Sequence, residues 1–308
     1  MILVTGASGL LGASLVSLAR EQGREVVGLY HRHPVHIDGV KMFAADLTDR
    51  AAMQRIFQEI RPSGVVHCAA ATSVDWCEEH PEEAHSINAM MPAAVAAIAS
   101  ECGARLLYIS TDSVFDGEHG NYAETDTPAP VNVYAQTKLQ GEREVFGQYP
   151  AAAIARATLY GWNAQNKDSL AEWILKQLKL GNVVPGFSDV VFCPLLANHL
   201  AEIILAMLDK NLAGLYHVVG SEPVSKYEFA RQVALTFCFD PGQVVPTRMA
   251  DASLKARRPL NTSLNTTKIC AALGRSMPDV AAGLCPFAQL RESGYADRIK
   301  GTLAGVRE

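Results

Sequence analysis

Little in this sequence points to a disulfide-stapled, membrane-spanning or nucleic-acid-binding protein. The chain has seven cysteines, an odd number, scattered and without a Cys-x-x-Cys pair. Such spacing offers neither a disulfide framework nor a thiolate metal site, and it suits reduced thiols used mostly as core filler in a cytoplasmic protein. No apolar run approaches the roughly 20 residues of a membrane span. The first residues already read as a strand, so no signal peptide is expected. Basic residues are not in excess: 27 Lys and Arg stand against 32 Asp and Glu, a formal charge of −5. That balance gives no electrostatic reason for a nucleic-acid or anionic-membrane partner. Internal repeats, low-complexity tracts and blocks of like charge are missing too. What remains is a chain of 308 residues, 49% hydrophobic and 19% charged. It is long enough for one large α/β domain or two unequal ones.

The N-terminus carries the first positive signal. Residues 1–5 form a short apolar run that leads into Gly6-Ala-Ser-Gly9-Leu-Leu-Gly12, an amphipathic helix, and a second apolar run at residues 25–30. Strand, glycine turn, helix and strand make the first unit of a dinucleotide-binding fold. Gly6 permits the tight turn, Gly9 lets a pyrophosphate approach, and Gly12 allows close helix packing. The backbone N–H groups of Ser8, Leu10 and Leu11 at the helix start suit the phosphates. After the second strand, His31 and Arg32 stand where an acidic residue often meets the ribose, and no carboxylate follows until Asp38. Arg32 suits a 2′-phosphate, so NADP(H) is preferred and NAD(H) is the other option. His31, His33 and His36 have no carboxylate or thiol cluster to complete a metal site, and none is expected.

The alternation continues. A third strand at 41–45 ends at Asp46 and Leu47, placed to hold an adenine edge. A helix follows at 49–60, then a buried strand at 64–68 that runs into Cys68, Ala69, Ala70 and Thr72, where small residues leave room for a ligand. A long helix is expected at 81–102, strands at 105–110 and 153–158, and a helix opened by Asn132. The class is therefore α/β, a doubly wound parallel sheet with ligands at the carboxyl ends of its strands. Residues 1–158 read as the dinucleotide-binding domain. Residues 159–308 read as a smaller substrate lobe, with about 190–220 returning to the sheet. Helices are expected there at 169–180, 196–208, 226–237 and 266–273, with a strand at 215–219.

Tyr134 and Lys138 stand one helical turn apart in Val133-Tyr-Ala-Gln-Thr-Lys138. An ammonium near a phenol stabilises the phenolate and lowers a pKa that is ordinarily about 10. Thr111, at the end of the fifth strand, offers a hydroxyl to a substrate carbonyl. With the glycine turn, these residues resemble an extended short-chain dehydrogenase/reductase. Ile109-Ser-Thr-Asp-Ser-Val-Phe-Asp-Gly117, Val133–Glu142 and Arg257-Arg-Pro-Leu-Asn-Thr-Ser-Leu264 resemble the dTDP-4-dehydrorhamnose reductase group in particular. The regulatory β-subunit of methionine adenosyltransferase is similar to the same group.

The resemblance implies a catalytic set of Thr111, Tyr134 and Lys138, with Tyr134 and Lys138 also meeting the nicotinamide ribose. It implies reduction of a 4-keto sugar nucleotide, with a cofactor-binding regulatory subunit or an epimerase as the alternatives and a homodimer compatible with the family. In related dehydratases a Glu follows the Thr-Asp pair. Ser113 stands there in this chain, and a hydroxyl does not drive elimination. Thr72, Asp75, Ser113, Arg258 and Asn261 are the candidate substrate contacts, Arg258 for a diphosphate. Ser113 replaces a usual Tyr, the stretch 186–194 is less polar than is usual in the group, and Ala135 replaces Gly.

Overall fold

Seven short strands lie side by side in one parallel sheet, in a computed structural model that describes residues 1–301. They are β1 (Ile2–Thr5), β2 (Val26–Tyr30), β3 (Lys41–Ala44), β4 (Gly64–His67), β5 (Arg105–Thr111), β6 (Ala153–Ala157) and a last strand, Gly214–His217. The order across the sheet is Gly214–His217, β6, β5, β4, β1, β2, β3. Strand β1 pairs with both β2 and β4, Leu3 opposite Val27 on one side and Val65 on the other. The inner strands are buried on both faces, as a helix-covered parallel sheet requires, whereas the edge strand β3 is largely exposed. The order reverses at β1 and β4, which opens a crevice at their carboxyl ends.

Helix α1 (Leu10–Glu21) and the helix Ala197–Asp209 cover one face. The other face is covered by α2 (Arg50–Ile60), which Asp49 caps, and by helical segments between β4 and β6. These segments are α3 (Val74–Glu79), α4 (Pro81–His85), α5 (Met91–Glu101) and α6 (Val133–Gln148). The helix expected at 81–102 is interrupted by a π-helical turn at Ser86–Met90. Pro92, in the first turn of α5, explains it: proline lacks an N–H and crowds the preceding turn, which widens the helix there. The widened turn carries Asn88 to the site.

In the second half, Ser169 and Ser225 open the helices Leu170–Lys179 and Lys226–Thr236 with reciprocal caps to Glu172 and Glu228. The helix Val280–Glu292 was not expected, because Pro286 within it reads as a breaker. Phe287 of that helix packs against Tyr160 and against Trp162, the latter stacked at 4.4 Å, and Tyr160 in turn meets Phe229. These aromatics belong to the same buried cluster as α1, so the two halves share a core. Among the described residues no helix is long and apolar enough to cross a membrane. No group of three or more His, Cys, Asp or Glu among them is placed to hold a metal.

Candidate active site

The glycine turn is shaped by close backbone contacts. Gly6 has φ +64, and a side chain on it would come within 2.7 Å of the Ala69 backbone at the end of β4. A side chain on Gly12 would come within 2.2 Å of the Gly6 carbonyl. Both positions need glycine. Gly12 thus packs α1 onto the turn itself. Gly9 is the N-cap of α1 and supplies no side-chain acceptor, so the first-turn N–H groups are left for a ligand. This donor set fits a pyrophosphate. Ser8 is buried, and its Oγ accepts a hydrogen bond from Gln165 of the second half. His31 and Arg32 are exposed beside Asp46, whose carboxyl is held below its usual range mainly by hydrogen bonds from Thr48. Leu47 is buried in the core beneath that corner. Cys68, Ala69 and Ala70 are half-buried at the end of β4, where burial pushes the Cys68 thiol up to about 12.

Thr111, Tyr134 and Lys138 converge at the carboxyl end of β5. Asn132 caps α6 by accepting from Ala135 N at 2.9 Å, and its amide donates to Arg257 O. This fixes the turn that presents half-buried Tyr134. Burial pushes the Tyr134 phenol up to about 12, and a side-chain hydrogen bond with Thr111 opposes that shift. The expected lowering of Tyr134 by Lys138 is corrected here. The buried Lys138 ammonium instead donates to Tyr108 Oη and to Ile109 O, each at 2.7 Å. Burial pulls Lys138 down to about 7, with Glu142 opposing. Glu142 is itself paired with Arg156 at 2.7 Å in the interior. Asn88 accepts from Ala71 N at 2.9 Å and donates to Thr137 Oγ1 at 3.2 Å, which joins the end of β4 to α6.

Asp112 is the residue that the sequence reading passed over. Its buried carboxylate accepts from Thr111 Oγ1 at 3.1 Å, Ser113 Oγ at 3.2 Å and Thr262 Oγ1 at 2.7 Å. Burial raises its pKa, and these three bonds oppose the rise. Thr262 lies within the Arg257–Leu264 stretch that carries the resemblance, 150 residues from Asp112 in the chain. Only the fold joins them.

The other candidates are placed differently. Asp75 and Arg258 bind each other at 2.9 Å, and Asp75 also accepts from Ala256 N. Lys255 pairs with Glu79 beside them, so α3 and the segment before Arg258 are clasped together. Asn261 serves its own turn, its Oδ1 accepting from Ser263 N and Oγ. Thr72 is exposed and accepts from Lys167 Nζ at 3.2 Å.

The family model for the RmlD substrate binding domain matches residues 1–290. A probable low-salt glycan biosynthesis reductase, Agl14, of Haloferax volcanii is 35% identical, covering 96% of this chain and 98% of the relative. The dTDP-4-dehydrorhamnose reductase of Mycobacterium tuberculosis is 33% identical over 86% of this chain and 84% of the relative. The methionine adenosyltransferase 2 subunit beta of Danio rerio is 31% identical over 87% and 83%. The solved dTDP-4-dehydrorhamnose reductase of Bacillus anthracis, in complex with NADP, superposes with a TM-score of 0.83 at 28% identity, covering 94% of this chain and 98% of that one. On its sequence and its fold alike, the chain belongs to the RmlD substrate binding domain family.

Proposed function

We propose that the protein is an NADPH-dependent cytoplasmic reductase of a keto group on a nucleotide-linked sugar, the 4-keto position foremost. The observation that carries this reading is the convergence of Thr111, Tyr134 and Lys138 at the end of β5, beside the glycine turn. Gly9, Leu10 and Leu11 would hold the pyrophosphate, Arg32 and His31 the 2′-phosphate, Asp46 and Leu47 the adenosine corner, and Lys138 the nicotinamide ribose. When bound, the dinucleotide supplies a hydride to the carbonyl carbon.

The chain itself manages the proton. Thr111 donates a hydrogen bond to Asp112 at 3.1 Å, which fixes the hydroxyl beside Tyr134. Tyr134, held protonated at neutral pH by its burial, donates to the carbonyl oxygen as the alcohol forms. Lys138, held by Tyr108 and Ile109 O one helical turn along α6, positions that end of the helix and the ribose. Ser113, a hydroxyl tied to Asp112, stands where related dehydratases carry a Glu, which disfavours dehydration. The test is incubation with NADPH and a dTDP-4-keto-6-deoxy sugar. Consumption of NADPH with formation of the alcohol supports the reading. Tight cofactor binding without turnover of any keto-sugar nucleotide refutes it.

The likeness to the methionine adenosyltransferase subunit, and the mutual pairing of Asp75 and Arg258, favour a second reading as a cofactor-binding regulatory subunit. Co-purification with a methionine adenosyltransferase supports that reading, and strong reductase activity of the isolated chain argues against it as the main role. An epimerase would convert its substrate with no net loss of cofactor.

A further inference from the structure

The segment that leads from Gly161 to the helix Leu170–Lys179 is tied firmly at both ends and held lightly in its middle. Glu172 is buried in that helix, and its Oε2 accepts from Asn163 N at 3.2 Å and from Ser169 N at 3.0 Å. One carboxylate oxygen thus closes the loop at its base. The Ser169 hydroxyl donates to Gly161 O at 2.7 Å, and Asn163 Oδ1 accepts from Gln165 N at 3.1 Å. Ala164 is buried in the core that the two halves share. Hydrogen bonds to a buried ionised group are strong, so the base stays fixed when the middle moves.

The middle crosses the crevice at the carboxyl ends of β1 and β4. Gln165 donates to Ser8 Oγ in the glycine turn at 3.1 Å, and Lys167 Nζ donates to Thr72 Oγ1 beyond β4 at 3.2 Å. Residues 165–168 therefore reach both lips of the crevice. Each bond ends on a hydroxyl, and Asn166, Lys167 and Asp168 are exposed, so water replaces these contacts at little cost. Asp168 is paired with Lys176 at 3.0 Å. The partner of Lys167 among the described residues is a hydroxyl and not a carboxylate. Its charge is left for an anion, and the open N–H groups at the start of α1 mark where an anion would lie.

We infer that residues 165–168 are a strap that closes over the bound dinucleotide, with Lys167 leaving Thr72 to meet the pyrophosphate on the side opposite the glycine turn. Lys167 is then a cofactor-binding residue supplied by the second half of the chain, and Glu172 is the fixed base from which the strap swings. The inference rests on the reading of the glycine turn as a dinucleotide site, and its test separates the two.

Calorimetric titration of the full chain with NADPH and with adenosine 2′-monophosphate provides that test, because the second ligand keeps the ribose phosphate and lacks the pyrophosphate. Lys167→Met should weaken NADPH by about tenfold, the loss of one charge-assisted contact, and leave adenosine 2′-monophosphate unchanged. Lys167→Arg should stay within a few-fold of the wild type, because the charge is kept. A purely structural role for Lys167 would lower both affinities alike. Trypsin supplies a second readout on the wild-type chain, since an exposed loop tip is a preferred site of cleavage. Saturating NADPH should slow the cut after Lys167 by at least about tenfold, and adenosine 2′-monophosphate should not. Unchanged NADPH affinity in Lys167→Met, equal losses for the two ligands, or a cut that NADPH does not slow overturns the strap and leaves the cofactor reading standing. No NADPH binding by the wild-type chain overturns both.

Discussion

Lys138 is anchored by Tyr108: its ammonium donates to the Tyr108 phenol at 2.7 Å and lies 4.2 Å from the centre of that ring. The same phenol donates to the Asn88 carbonyl at 3.2 Å. One buried hydroxyl therefore holds both the charge beside Tyr134 and the π-helical turn that supports α6. Tyr108→Phe should destabilise the fold by about 1–3 kcal/mol, because it leaves a buried carbonyl and a buried ammonium each short of a partner. Turnover should fall as well, since Lys138 is then free to move. Urea unfolding followed in parallel with NADPH oxidation reads both effects.

Gly12→Ala should abolish dinucleotide binding. The added methyl meets the Gly6 carbonyl and the Ala7 backbone, and neither can move without unmaking the turn. Gly9→Ala meets the Gly6 carbonyl less severely, at 3.2 Å. It should fold close to normally and lose affinity only through crowding of the phosphates. Fluorescence titration with NADPH separates the two variants.

Arg32→Ala should weaken NADPH by about tenfold and leave NADH nearly unchanged, because a bidentate guanidinium recognises the extra phosphate and nothing else in NADH. Equal losses for both cofactors would assign Arg32 another role.

The Asp112–Thr262 bond predicts a link between the halves of the chain. Thr262→Val removes one of three donors to a buried carboxylate and should cost about 1–3 kcal/mol of stability. It should also reduce turnover by loosening the partner of Thr111, with NADPH affinity unchanged. A variant with full activity would show that Asp112 needs only its own neighbours.

His67 and His217 are buried, and desolvation pulls both down to about 3. Both are neutral in the folded chain across the physiological range, while in the unfolded chain they take up protons below about pH 6.5. Their contribution to stability is therefore complete above pH 6.5 and is lost as pH falls toward 3, by up to about 1.4 kcal/mol per histidine per pH unit. His67→Gln should remove one proton's worth of this slope, measured as the urea midpoint between pH 4 and 7.

Local features of the site could be read from the sequence because chain neighbours make them. The glycine turn between two strands, the one-turn spacing of Tyr134 and Lys138 and the place of Thr111 at a strand end need only short-range geometry. The strands of the sheet were legible for the same reason, and the last one needed only its apolar pattern at 215–219, observed at Gly214–His217. What could not be read is what distant segments do to one another. Lys138 turns to Tyr108 because α6 is packed on β5, and Asp75 takes up Arg258 across 183 residues. The raised pKa of Tyr134 comes from burial by the whole fold, and no four-residue spacing carries that information. Helix Val280–Glu292 was missed because a single proline outweighs weak periodicity when packing is not in view.

The central claim is that Tyr134 protonates a carbonyl oxygen while the dinucleotide reduces the carbon. A single-turnover measurement of NADPH loss, with a dTDP-4-keto-6-deoxy sugar and either the wild-type chain or Tyr134→Phe, tests it most directly. The account predicts a rate about 10²–10⁴-fold lower in Tyr134→Phe, with NADPH affinity and thermal stability close to wild type. Equal rates in the two proteins would contradict it.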